Sequence, residues 1–254
     1  MERMSSLPAS VRLSLWITAA WSGHVDLAEA LRRALPDIDH VDGDVAQLQL
    51  WQDLGERVLV CALPRPGDVR GLPRGNNDLV EAATDCGECV FVPGIGGALV
   101  PTVEEFGPEG DVGTTVRFTA YDCDPIPTHR LEALRESEIE RGFREQLTGA
   151  IGALEGLDVQ PWAGSTLRGR IDDRIVLNGW GLPPGLPGRA LRVLQQAATT
   201  GAAADLGLAH SPAVDISQDR ARHLLLLDLQ SASDRAMADA CTVAALTIAG
   251  MRGS

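Results

Sequence analysis

Lysine is absent from this chain of 254 residues, whose 22 basic side chains are all arginine, set against 35 acidic ones. The absence excludes chemistry outright. It leaves no amine for a Schiff base, no phosphate-cradling P-loop lysine, no kinase lysine and no Ser–Lys pair. Phe, Tyr and Asn are scarce as well, while Ala, Gly, Arg and Asp abound. High-G+C coding gives this bias, so the loss of lysine can reflect the genome rather than any one site.

Long apolar runs are missing too. The best candidates, 224–227 and 241–249, fall short of the roughly 20 residues that span a bilayer. Near the start, VRLSLWITAA (11–20) is interrupted by Arg12 and Ser14, and no A-x-A follows it. It does not read as a signal peptide, and a cytoplasmic protein is expected. The cysteines, Cys61, Cys86, Cys89, Cys123 and Cys241, are odd in number and irregular in spacing. That is no disulfide framework and suits a reducing compartment. A net charge of −13 repels nucleic acid phosphates and anionic lipid, so neither nucleic acid nor membrane is an expected partner.

What is present reads as a globular chain, with 44% hydrophobic and 22% charged residues. Periodicity predicts helices over 9–20, 26–35 and 45–54, the last with Asp44 as N-cap. The run VLVCAL (58–63), stopped by Pro64, reads as a buried strand, and 89–92 as a second. A short helix is expected near 78–83. Residues 94–97 and Pro101 read as chain breakers. Residues 114–120 alternate, with Val116, Phe118 and Ala120 on one face, as a half-buried strand does. Ser137 and Glu140 form a capping box for a helix over 138–154. Beyond it come a loop-rich stretch with one strand at 175–177, then a helix from Pro187 stopped by Gly201. A final helix is expected with Ser233 as cap, while 224–229 is ambiguous between helix and strand. The expected fold is α+β: a small mixed sheet from the first half packed with helices, and a mainly helical second half. One domain over 1–254 is expected, with a possible subdivision at 125/126.

Three constellations could carry chemistry. Cys86-Gly87-Glu88-Cys89 has the spacing for a disulfide or half a metal site, but a strand follows it and no second ligand pair has zinc spacing. Asp37, Asp39, His40, Asp42 and Asp44 form an acidic run whose register departs from a calcium loop, and reads as solvated loop. The preferred site is an anion pocket between two loops. Arg65, Arg70 and Arg74 would supply guanidinium forks, and Gly94, Gly96 and Gly97 would let backbone N–H groups approach the ligand. It requires the turns after the first two strands to open on one side of the sheet. No nucleophile motif, cofactor fingerprint or metal signature stands out, so no cofactor and no catalytic residue are assigned.

Two stretches, LWITAAWSGHV (15–25) and LPRPGDVRGLP (63–73) before ATDCGECVFV, resemble a family of uncharacterised proteins from high-G+C Gram-positive bacteria. The resemblance covers mainly the first half. It implies no catalytic residue and draws attention to the 63–73 loop. The C-x-x-C is not something it implies. Function is unknown at this stage. The first expectation is a non-catalytic binding or regulatory protein acting through a protein partner or itself. The alternative is an enzyme or sensor of a small anionic metabolite using the arginine and glycine loops.

Overall fold

A computed structural model of the chain describes residues 7–108, 112–157, 181–209 and 216–252. The fold is α+β, with a five-stranded mixed sheet in the first half and a mainly helical second half. The strands are β1 (His40–Gly43), β2 (Val60–Ala62), β3 (Cys89–Val92), β4 (Gly97–Phe106) and β5 (Gly113–Tyr121), in the order β1-β5-β4-β3-β2. β1 runs parallel to β5, and every other pair is antiparallel. The predicted strand at 175–177 lies outside the described residues.

Helix α1 (Ala9–Trp21) is buried on nearly every side, which explains a run too apolar for an amphipathic surface helix. Several of its polar groups have structural partners. The Thr18 hydroxyl accepts from the Leu59 N–H at 3.0 Å, and the Ser14 hydroxyl donates to the Leu59 carbonyl. Both satisfy the free edge beside β2, which a buried edge strand requires. Arg12 is buried and pairs with Asp37 at 2.7 Å.

Helix α2 (Leu27–Ala34) is capped by Asp26, whose carboxylate accepts from the Glu29 N–H. α3 (Gln47–Asp53) starts later than expected and is not capped by Asp44. Asp44 instead takes the Ala120 N–H of β5 at 2.8 Å. Asp39 takes the Thr114 N–H at 2.8 Å, and Asp42 pairs with Arg117 at 3.0 Å. The acidic run is thus an edge strand stitched to β5 by its carboxylates, rather than a solvated loop.

Pro101 does not break the chain. It lies within β4 opposite Phe118, and the pairing of β4 with β3 has already ended at Leu99. One edge is open there, so a residue without an N–H leaves no partner unsatisfied. Between β2 and β3 runs α4 (Asn77–Cys86), capped by the Asn76 side chain, which accepts from the Leu79 N–H.

The second half holds α5 (Thr128–Glu132), α6 (Glu136–Gly156), α7 (Gly188–Ala209) and α8 (Ile216–Ile248). α6 begins before the predicted capping box, so Ser137 lies inside its first turn and makes no cap. The Glu140–Arg144 pair forms at 2.9 Å. Gly201 does not stop α7. It packs against Ser233 of α8, and a Cβ there would lie 3.6 Å from the Ser233 Cβ. Ser233 is no cap either, because its hydroxyl donates back to the Leu229 carbonyl in mid-helix. The 224–229 run is helical.

One core cluster joins α1, the sheet and α4 to Val193 and Leu194 of α7 and to Met237, Cys241 and Ala245 of α8. A smaller cluster, Ala204, Leu226 and Leu229, binds the outer parts of α6, α7 and α8 together. Arg57 donates to the Ala249 carbonyl at 2.9 Å, which places a cation from the first half at the C-terminal end of α8.

Candidate functional site

The two predicted loops leave the sheet at opposite ends. β2 is antiparallel to β3, with Ala62 beside Cys89, so the chain leaves β2 where it enters β3. The glycine turn lies at the other end, where Val92 pairs with Gly97. A shared pocket needs both turns on one side, as parallel strands would give. The pairing therefore does not bring Arg65, Arg70, Arg74, Gly94, Gly96 and Gly97 into one anion site.

Most of these residues already have internal partners. Arg65 pairs with Asp234 of α8, and burial nevertheless raises the Asp234 carboxyl above its ordinary range. Arg70 holds Asp68 through two hydrogen bonds, at 2.7 and 2.8 Å, and these keep the Asp68 carboxyl low. The glycine turn does bind an anion, but it is the protein's own. Glu56 Oε1 accepts from the Ile95 N–H at 2.6 Å, and the neighbouring Gly94 N–H helps to draw the carboxyl's pKa down. Gly96 has φ +76°, and a Cβ there would lie 2.1 Å from the Cys123 carbonyl oxygen. Gly97 lies under the Trp51 ring, 2.9 Å from where a Cβ would be. Only Arg74 comes round to that end, where the adjacent Gly75 bridges Cys123. It lines a recess of about 710 Å³ with Asp122, Cys123 and Asp124.

The C-x-x-C is a corner between elements. Gly87, at φ +76°, ends α4 in the left-handed conformation. Glu88 is turned under α1. Burial pushes the Cys86 thiol up to about 11, and burial also raises the Cys89 thiol well above its ordinary value. Neither is an activated nucleophile.

A different cavity has the makings of a site. It is a groove of about 410 Å³ between α5, the turn into α6, α6 itself and α8. One wall is a helical stripe on α6: Glu138, Ile139, Gly142, Phe143 and Gln146. The other is Ala232, Arg235, Ala236 and Asp239 of α8, spaced i, i+3, i+4 and i+7 on one face. Phe143 is the buried residue of α6 and forms the floor with Ile139, Ala232 and Ala236. Arg130 and Arg135 stand at the rim, and their guanidiniums have no ion-pair partner among the described residues.

Asp239 is the unusual group. Burial pushes its carboxyl up to about 6, and nearby Arg235 offsets only part of this. It makes no hydrogen bond or ion pair among the described residues. A carboxyl perturbed by burial and set in a cleft marks a candidate site. Sequence reading missed it. The one local sign is a lone carboxyl in AMADACTVAA (236–245), where its neighbours are small or apolar. Arg130 and Arg135 carry no sign at all, since helix packing alone brings them to the same groove as residue 239.

Fold and groove together define an α+β protein with a ligand-sized cleft where its mixed first half meets its helical second half. Two family models match the chain, Rv1486c-like protein, N-terminal domain, over residues 10–133, and Rv1486c-like protein, C-terminal domain, over residues 137–238. The chain belongs to the Rv1486c-like family. The descriptions name no activity, so kinship leaves the function unknown. No curated protein and no solved structure matches the chain. The boundary between the two family domains falls at the turn from α5 into α6, which is the lip of the groove.

No helix among the described residues is long and apolar enough to cross a membrane. No group of three or more His, Cys, Asp or Glu among them could hold a metal ion.

Proposed function

We propose that the chain is a non-catalytic binding protein for a small anionic molecule, held in the groove between α5, α6 and α8. One observation carries this reading: Arg130 and Arg135, which have no ion-pair partner among the described residues, line a cavity of about 410 Å³ together with Ile139, Phe143, Ala232 and Ala236. Small-molecule sites commonly measure about 300–1,000 Å³ and combine such floors with a few placed polar groups. Domain boundaries are a common place for them. The described lining offers no hydroxyl, thiol or imidazole, which favours binding over covalent chemistry. A second reading, an enzyme acting on such a molecule, is favoured only by Asp239, a carboxyl able to exchange a proton near neutral pH.

Two halves that share one core are read here as one working unit, with a homo-oligomer or protein partner as the route by which binding is reported. We place the chain in the cytoplasm of a high-G+C Gram-positive bacterium. Five free cysteines and the arginine-for-lysine bias support that placement.

Gly142 supplies a clean test. It lies in the groove wall, and a Cβ added there meets nothing within 4 Å. Gly142→Leu fills the groove and at the same time favours the helix by about 1 kcal/mol. A thermal-shift panel of phosphates, dicarboxylates and monocarboxylates is expected to contain a stabiliser of the native chain that no longer acts on Gly142→Leu or on Arg130→Ala/Arg135→Ala. Silence across the whole panel, or equal stabilisation of all three proteins, rejects the groove.

A further inference from the structure

We propose that the groove takes up an amphipathic monoanion, an acid group on an apolar body, together with one proton that Asp239 accepts. This rests on the groove being the binding site, and it names the ligand class and the regulation.

The lining sets the class. Ile139, Phe143 and Ala236 present hydrocarbon, which favours an apolar body, while the rim offers guanidinium forks suited to a carboxylate or sulfonate. A highly charged ligand such as a polyphosphate would find, among the described lining residues, two unpaired cations and no amine. It would also place several charges over an apolar floor, which is costly.

The proton follows from the groups that line the groove with Asp239. From α5 and the turn after it come Arg130 and Arg135. From α6 come Glu138 and the neutral Gln146, and from α8 itself comes Arg235. Arg235 is drawn toward Asp68 of the loop after β2, at 3.7 Å, and its Nε donates to the Ser231 carbonyl. Among the described residues, no cation therefore makes an ion pair with Asp239. An anion entering the groove meets this carboxylate at close range, where two like charges cannot both stay ionised cheaply. Protonation removes the repulsion and turns Asp239 into an O–H donor to the ligand's acid oxygen, a charge-assisted hydrogen bond. The balance is one proton from solvent bound at an Asp239 carboxylate oxygen per anion bound. By linkage, affinity rises as pH falls through the range in which Asp239 titrates.

Anilinonaphthalene sulfonate tests this with the full chain. Its sulfonate stays ionised throughout, so any pH dependence belongs to the protein. Fluorescence titrations at about pH 8 and about pH 5.5 are expected to show native affinity rising at least tenfold on acidification, toward the limit of about tenfold per pH unit for one proton. Asp239→Asn, checked for folding by circular dichroism, should bind at both pH values about as tightly as the native chain does at the lower one. If the native chain and Asp239→Asn share one pH slope, the proton coupling is wrong although the groove survives. If Gly142→Leu and Arg130→Ala/Arg135→Ala bind the dye like the native chain, or if no protein binds it, the groove reading falls and this inference falls with it.

Discussion

Arg235 stands one helical turn before Asp239 on α8, yet its guanidinium keeps to Asp68, 3.7 Å away, and makes no ion pair with Asp239. Within a helix a basic residue four positions before an acidic one is the weaker orientation for pairing. Asp68, fixed by Arg70, offers a better placed partner from outside the helix. The carboxyl in the groove is therefore left without a counterion among the described residues. Asp68→Asn removes the competing charge, so Arg235 should turn toward Asp239. The Asp239 carboxyl is then expected to titrate below its native position of about 6, as read by carboxyl carbon NMR across a pH series. An unchanged midpoint would show that Arg235 does not govern this group.

Stability should carry the same signature. The folded pKa of Asp239 lies above its ordinary value of 3.8, so the folded state binds this proton more tightly than the unfolded state. The contribution is complete below the unfolded value and is lost as pH rises to about 6. Above that, the native chain holds a poorly solvated carboxylate. Each pKa unit corresponds to about 1.4 kcal/mol. Asp239→Asn is thus expected to be more stable than the native chain by about 1–3 kcal/mol near pH 7.5, and by little near pH 4. Urea denaturation at the two pH values measures this. A gain that is equal at both would point to packing rather than to charge.

The glycine turn shows where sequence reading was close and where it failed. Backbone N–H groups after β3 were expected to meet an anion, and they do, but Glu56 supplies it from the loop after α3. Local pattern identified β3, β5, α1, α2 and the helical character of the last third, because each follows from period and burial within one segment. It did not reach β1, whose aspartates read as solvent-facing until β5 is placed beside them. Pro101 and Ser233 misled for the same reason. A proline is tolerated where β4 has passed the end of β3, and a serine is tolerated in mid-helix where its hydroxyl turns back to Leu229. Nor does the groove have a local signature, since Arg135 and Asp239 meet only through the packing of α6 on α8.

Glu56 also gives a prediction of its own. Burial raises its carboxyl, and the Ile95 and Gly94 N–H groups pull it back in part. Removing it strands the Ile95 N–H, a loss of about 1–3 kcal/mol. Glu56→Ala should therefore melt earlier than the native chain, and acetate or formate should restore part of the difference by filling the vacated turn. Neither salt should shift the native chain in the same way. Equal shifts in both proteins would mean the turn is no anion nest.

The corner at 86–89 predicts inert thiols. Gly87 turns the chain, and Glu88, half-buried, accepts the Ser10 N–H at 2.7 Å where α1 begins. This closes an open helix end with a carboxylate from another element. The flanking thiols gain no activating charge. Burial and the nearby Glu88 raise Cys86, and burial with the nearby Asp124 and Asp122 raises Cys123, each to about 11. At about pH 8 only on the order of one part in a thousand of such a thiol is thiolate, against about a quarter of an ordinary cysteine. Ellman's reagent should consequently label the native chain hundreds of times more slowly than the chain unfolded in guanidinium, where all five thiols react. Glu88→Ala should cost about 1–3 kcal/mol through the lost helix end, with no change in metal content. Rapid labelling of Cys86 in the folded chain, or zinc retained through dialysis and lost in Glu88→Ala, would assign this corner a chemical role.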